Sequence, residues 1–261
     1  RLPGQRTVWR QTFRNLLAMK VAAWNVNSLK VRLPQLLDWL QLRQPDVVCL
    51  QETKLEDAAF PIAEIEAAGY TVAFSGQKTY NGVALLSRHA LTDIVRGNPY
   101  FDDPQKRLIA ATAGDVRIIC AYVPNGQEVG SDKFAYKLAC LAALERWLAD
   151  MLSATPKLMI AGDFNIAPDD RDVHNPKAWE GKILCSEPER QAFQRLLTLG
   201  LKDSFRLFEQ PEKSFSWWDY RMLGFQKNQG LRIDHLLLSE PLAAGCTASS
   251  IDREMRKRER P

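Results

Sequence analysis

A chain of 261 residues with 46% hydrophobic content is long enough to bury one sizeable core, and no internal repeat or Gly/Ser-rich linker divides it. No apolar run approaches the roughly 20 residues needed to cross a bilayer, which excludes a membrane-spanning helix; a soluble, cytoplasmic monomer is expected. The formal charge of +4 does not mark a nucleic-acid binder: residues 1–18 hold four Arg and no acid, and over residues 19–261 the basic and acidic residues balance.

Taken in chain order, residues 1–18 are Arg-rich and acid-free with Trp9, Phe13, Leu16 and Leu17 interspersed, the composition of a transit peptide. Because Met19-Lys20 directly precedes the first strand, they are expected to be an extraneous, disordered extension. Apolar runs predict strands over 20–26, 46–51, 70–75, 82–87, 108–113, 116–122, 157–162 and 232–238. Helical spacing predicts helices over 32–43, 61–68, 133–152 and 188–199. Strands alternating with helices argue for sheet covered by helices, and periodicity alone leaves one sheet or two open. The connection from Pro168 to Pro188 is long for a compact domain, so it is expected to border a site. Five cysteines with no C-x-x-C spacing read as reduced core residues, not metal ligands.

Four short polar motifs sit where predicted strands end: Trp24-Asn25-Val26-Asn27, Gln51-Glu52-Thr53, Gly162-Asp163-Phe164-Asn165 and Leu231-Arg232-Ile233-Asp234-His235. Residues two apart on a strand share a face, so Asn25 and Asn27 should point together, as should Asp163 and Asn165. The apolar Trp24, Val26 and Phe164 then pack behind them. Asn and Asp are poor strand formers, and their concentration at strand ends indicates a polar cleft. Any one motif alone could be a turn or a cap. The same alternation forbids Asp234 and His235 from acting as a dyad, and Asp234 is the one expected to face the cleft.

The residue types suit metal-assisted phosphodiester hydrolysis, which needs a water nucleophile, neutralised phosphoryl oxygens and help for the leaving oxygen. Glu52 is a hard oxygen ligand suited to Mg2+, with Asn25 and Asn27 beside it. Asp163 is the candidate to orient or deprotonate water, and Asn165 to hold the phosphate or the water. Tyr122, ending an apolar strand before Pro124, carries a phenol able to donate to a non-bridging oxygen or the leaving group. Local phosphate contacts would come from Lys78, Arg107, Arg221 and Arg232. In Phe215-Ser216-Trp217-Trp218, alternation puts Phe215 and Trp217 on one face as a wedge against an unstacked sugar or base, and Trp218 in the core. Leu184 and Cys185, in the long connection, would shape the pocket.

Taken in order, with Gly76-Gln77-Lys78-Thr79-Tyr80-Asn81-Gly82-Val83-Ala84-Leu85, Ala121-Tyr122-Val123-Pro124-Asn125-Gly126 and Phe215-Ser216-Trp217-Trp218-Asp219-Tyr220-Arg221, these motifs resemble the exonuclease III family of AP endonucleases. That family is a branch of the wider group that includes DNase I, inositol polyphosphate phosphatases and sphingomyelinases, and the similarity runs from Met19 to Pro261. It implies a four-layer α/β sandwich of two packed mixed sheets flanked by helices. It implies Mg2+, with Mn2+ able to substitute, and a substrate of double-stranded DNA with abasic sites, nicks or 3' ends. Lys78, Tyr80, Asn81, Arg107, Arg221, Phe215 and Trp217 are then expected to contact DNA, and Asp163, Asn165, Tyr122 and Asp234 to be catalytic. In the family, Asp234 would orient a histidine from a later Ser-Asp-His motif. The chain as written ends at Glu259-Arg260-Pro261, where that motif would begin, so it is expected to lack the histidine, the preceding metal-site Asp and the last strand, and to be poorly active. Two other readings are a phosphatase or phosphodiesterase for a different phosphate ester, and a catalytically silent DNA-binding module.

Overall fold

Two β-sheets stacked face to face form the middle of the molecule in the computed structural model, which describes residues 19–220 and 223–257. The Arg-rich segment 1–18 lies outside the described residues, as do Arg221 and Met222. Sheet one has the order β1 (Val21–Asn25), β2 (Val47–Gln51), β4 (Val83–Ser87), β3 (Thr71–Ser75), with β1 and β2 parallel and the other pairs antiparallel. Sheet two runs β5 (Leu91–Arg96), β6 (Leu108–Ala113), β7 (Val116–Tyr122), β8 (Leu158–Asp163), β12 (Asp234–Leu238), β9 (Lys202–Asp203), and only β7 and β8 are parallel. A short antiparallel ribbon joins β10 (Trp217–Trp218) to β11 (Gly230–Leu231).

Side-chain alternation divides each central strand between two layers of core. Val47, Cys49 and Leu85 point inward against Ile109, Ile118, Cys120 and Ala161 of the opposite sheet. Val48, Leu50, Ala84 and Leu86 point outward against Leu36, Trp39 and Leu40 of α1 (Leu29–Arg43) and Ile65 of α2 (Ile62–Ala67). On the far side, Ile119, Leu158 and Ile160 meet Leu144, Trp147 and Leu148 of α3 (Asp132–Ala154) and Phe193 and Leu196 of α5 (Glu187–Thr198). Each fully buried aliphatic side chain contributes about 1.5–3 kcal/mol, and burial on both faces is why these strands read as continuous apolar runs. The result is the four-layer sandwich that the resemblance implies. Two short helices, α4 (Pro176–Trp179) and α6 (Glu240–Ala244), complete the described α-helices. None of the described helices is long and apolar enough to cross a membrane, and all five cysteines are free thiols.

The structure departs from the sequence reading mainly at exposed edges. β5 was not predicted: it is an edge strand carrying Thr92, Asp93 and Arg96, mostly exposed and bulged between Thr92 and Val95, so it has no period-two apolar pattern. α1 starts at Leu29, three residues before its predicted start, because Leu29 itself is fully buried. β12 begins at Asp234, not residue 232, since the Arg232 N–H is drawn away to the Asp172 carbonyl.

Candidate active site

Strand register gathers the cleft acids. Asp163 is the partner of Tyr122 on the parallel strand β7 and of Asp234 on the antiparallel strand β12, so the three form one row across the end of sheet two. Gly162 makes the row possible: a Cβ there would lie 2.0 Å from the Ala121 carbonyl oxygen. From sheet one, Asn25 ends β1 and Glu52 follows β2, facing the row. Gly82 lets the next loop close on this turn, for a Cβ there would lie 2.1 Å from Thr53 Oγ1. Asn27, Glu52, Lys54, Asn165 and Leu184 all have positive φ, between 42° and 73°, although none is glycine. Such conformations persist only where the surroundings over-determine them, and they cluster at functional sites.

Asn25 bridges the two sheets. Its Nδ2 donates to Glu52 Oε1 at 2.8 Å and to Asp163 Oδ2 at 2.9 Å, while its Oδ1 accepts from the Asn27 N–H at 3.0 Å. Asn25 therefore stands as a donor between the two carboxylates. Asn27 Oδ1 accepts from Lys54 Nζ at 2.6 Å, and the same ammonium lies 3.0 Å from Glu52 Oε2. Burial alone would raise the Glu52 carboxyl, but hydrogen bonds from Asn25 and Lys54, with the Lys54 charge and the Tyr122 hydroxyl, hold it below the usual range. The Tyr122 phenol moves the other way, raised by burial and by the charges of Glu52 and Asp163, so it stays protonated as a donor.

Asp163 is 5% exposed, and its Oδ1 accepts from the Asn165 N–H at 2.8 Å. Burial and the neighbouring Asp234 push its carboxyl well above the ordinary range. Asp234 is pushed up to about 6 by burial, against the opposing Ser216 hydroxyl and Arg256 charge. Like charges directly opposite on neighbouring strands repel, and here they do so beside a third acid. Asn165 is held by its Nδ2, which donates to the Val123 carbonyl at 2.9 Å. Asp234 and His235 do point to opposite faces. His235 is buried between Phe164 and Phe193, with Nε2 2.8 Å from the Ile166 carbonyl oxygen.

This arrangement can neutralise and orient a phosphate ester. The donors are hard oxygens, and the acids outnumber the cations that face them. Among the described residues no group of three or more His, Cys, Asp or Glu side chains forms a metal cage. A cation would rest on Glu52 and keep most of its shell as water, the habit of Mg2+. The cleft and the groove that continues it along β1, past Leu236 and Leu238, together enclose about 1650 Å³.

Three site residues escaped the sequence reading. Lys54 stands two residues after Glu52, and a cation so close to an isolated acid was the available signal. Ser216 accepts from the Asp234 N–H at 3.1 Å, and Arg256 sits over the Tyr220 ring; neither carries a local signature.

The expected DNA contacts divide. Lys78 is exposed, Tyr80 is 67% exposed, and Trp217 lines the cleft half-buried. Phe215 does not join Trp217: it is fully buried, because β10 covers only Trp217 and Trp218 and the alternation does not reach residue 215. Trp218 is in the core as expected. Asn81 is 7% exposed, and its Nδ2 donates to Gln77 and Gln105, so it braces its own loop instead of facing solvent. Arg107 stacks over Tyr122 at 4.8 Å and donates twice to Gln105, half-buried behind the phenol. Arg232 is not a phosphate contact; it is 2% exposed and paired with Asp172 and Asp203. Arg221 lies outside the described residues.

Comparison with known proteins agrees with this geometry. The Endonuclease/Exonuclease/phosphatase family profile matches residues 22–254. The chain is 40% identical to exodeoxyribonuclease III of Haemophilus influenzae, covering 93% of this chain and 96% of the relative. It is 31% identical to the exodeoxyribonuclease of Bacillus subtilis, covering 91% and 94%. Among solved structures, the Neisseria 3' phosphatase NExo bound to a product DNA hairpin superposes with a TM-score of 0.92 at 47% identity, covering 94% of this chain and 95% of that one. An AP endonuclease from Archaeoglobus fulgidus superposes with a TM-score of 0.90 at 35% identity, covering 93% and 95%.

Proposed function

The chain belongs to the endonuclease/exonuclease/phosphatase family and, within it, to the exonuclease III members, and from that premise we propose that it is a Mg2+-dependent DNA-repair nuclease acting at abasic sites and 3' ends. The observation that carries the reading is the row Tyr122, Asp163 and Asp234 facing Glu52 across the mouth of the two sheets. Support comes from the Neisseria 3' phosphatase, a close structural relative that holds a DNA hairpin, and from the Archaeoglobus AP endonuclease.

Glu52 is the residue to hold the cation, with Mn2+ an acceptable substitute. A divalent ion there would neutralise the phosphoryl oxygens as charge develops. Asp163 takes a proton from the attacking water. Asn165 holds the phosphate or the water, and the Tyr122 phenol donates to a non-bridging oxygen or to the departing one. Lys78, Tyr80 and Trp217 contact the DNA, and Arg221 joins them from its matched motif. Leu184, in the left-handed region at the cleft wall, shapes the pocket that divides an internal abasic site from a 3' terminus.

An abasic duplex should be cleaved in Mg2+ and spared in EDTA. Hydrolysis undiminished by chelator would remove the metal from the reading, and turnover of an inositol phosphate in place of DNA would move the protein to another branch of the family. Among the described residues no imidazole faces Asp234.

A further inference from the structure

Beneath the cleft lies an ion pair that the chemistry above does not use. Lys137, on α3, and Glu189, in the first turn of α5, are both 0% exposed, with Nζ 2.5 Å from Oε1. Lys137 Nζ also donates to the carbonyl oxygens of Asn165 at 2.7 Å and Asn125 at 3.1 Å, which accounts for all three ammonium hydrogens. Glu189 in turn accepts from the Leu184 N–H at 3.0 Å, from the Ser186 N–H at 3.0 Å and from the Ser186 hydroxyl at 2.5 Å.

Stability is a poor explanation for such a pair. Taking two ions out of water is costly, and apolar residues of similar volume often serve a fold as well or better. Position is the better explanation. Asn165, with φ 50°, and Leu184, with φ 73°, are strained residues on the cleft wall, and each is tied through its own backbone to one member of the pair. Asn125, also on the wall, is tied to the same ammonium. Strained residues keep their geometry only when several contacts hold them at once. Lys137 also feels the Asp163 charge, so the cation stands behind the turn that carries the proposed base.

We propose that Lys137 and Glu189 are positioning residues: together they clamp Asn165 and Leu184 in their left-handed conformations and couple the long connection after β8 to the Asp163–Asn165 turn. This rests on the nuclease reading above.

The test compares Lys137→Met, Glu189→Met and the double variant. Each single variant strands one buried charge and should lose stability; the double variant strands no charge, only the carbonyl, N–H and hydroxyl groups that the pair had satisfied, and should regain part of it. Its single-turnover cleavage of an abasic duplex should nevertheless stay about 10²-fold down, with duplex Kd within about twofold, because misplacement on the scale of an ångström costs that much in rate. Hydrogen exchange at the Leu184 amide should quicken in all three. A double variant that regains full rate along with stability, or a Leu184 amide that exchanges as slowly as before, would overturn the clamp. If the unsubstituted protein cleaves no abasic duplex, the nuclease reading falls, and exchange at Leu184 alone decides the clamp.

Discussion

Buried acids occupy two neighbouring regions of this molecule in opposite company. Behind the connection after β8, Arg232 donates to Asp172 at 2.6 Å and to Asp203 at 2.7 Å, and Arg206 adds a second cation on Asp172. Burial would raise the Asp203 carboxyl, but the Arg232 charge holds it below the usual range. At the cleft, Asp163 lies beside Asp234 with no guanidinium between them, and both are raised. Residue type is the same in the two regions, and Asp163, Asp172 and Asp203 are alike buried, with Asp234 half-buried. Pairing differs: balanced acids anchor a loop, whereas unbalanced acids leave the cleft short of positive charge and ready for a cation or a proton.

The largest effect that would break this contrast is at Asp163. Asp163→Asn should lower turnover by about 10²–10⁴-fold while moving stability by less than about 1 kcal/mol, since it removes a poorly balanced charge and not a pair. Single-turnover kinetics and duplex affinity measured together decide it: lost affinity with an intact rate would make Asp163 a binding residue. The converse change, Arg232→Met, should cost about 3–5 kcal/mol in denaturant unfolding, because Asp203 then loses its guanidinium and Asp172 keeps only Arg206. Activity per folded molecule should change little. A variant as stable as the parent would show that the buried network anchors nothing.

The two regions should also answer pH with opposite signs. His235, packed beside Arg232, is lowered to about 4 by burial and by the Arg232 charge. Above 6.5 it is neutral whether folded or unfolded and contributes no slope. As pH falls from 6.5 through 4 the unfolded chain takes up a proton that the folded one refuses, so stability is lost by on the order of 3 kcal/mol. His235→Gln should flatten that slope. Asp234 works in reverse: raised to about 6, it binds its proton more tightly when folded, so its contribution improves as pH falls through 6 toward 3.8. Asp234→Asn should remove this gain in metal-free buffer; identical pH profiles for parent and variant would count against the raised carboxyl. The smallest effect expected is ligand-linked: Mg2+ at 100 times its Kd should stabilise the protein by about 2.7 kcal/mol, and Glu52→Gln should abolish the thermal shift. A shift surviving in Glu52→Gln would place the ion elsewhere.

Much of this was legible in the chain. Strands buried on both faces announced themselves as apolar runs ending in polar motifs, and Asp163, Tyr122, Glu52 and Asp234 were all found at those ends. Alternation correctly parted Asp234 from His235, since it is a property of the strand itself. It failed at Phe215, where the strand is too short to carry it. Arg232 looked like a phosphate contact because a charged residue in a sequence has no visible partner; in the fold it is enclosed by two acids.

By itself the sequence determined where the central strands run and which face most of their side chains take, because both follow from local periodicity. Tertiary structure alone decided which polar groups meet. Asn25 joins Glu52 to an Asp163 that lies 138 residues away, and Lys137 holds the carbonyl of Asn165 from a separate helix. A hydrogen bond is set by the final approach of two segments to within about 3 Å, and that approach depends on how whole layers pack, which no local pattern encodes.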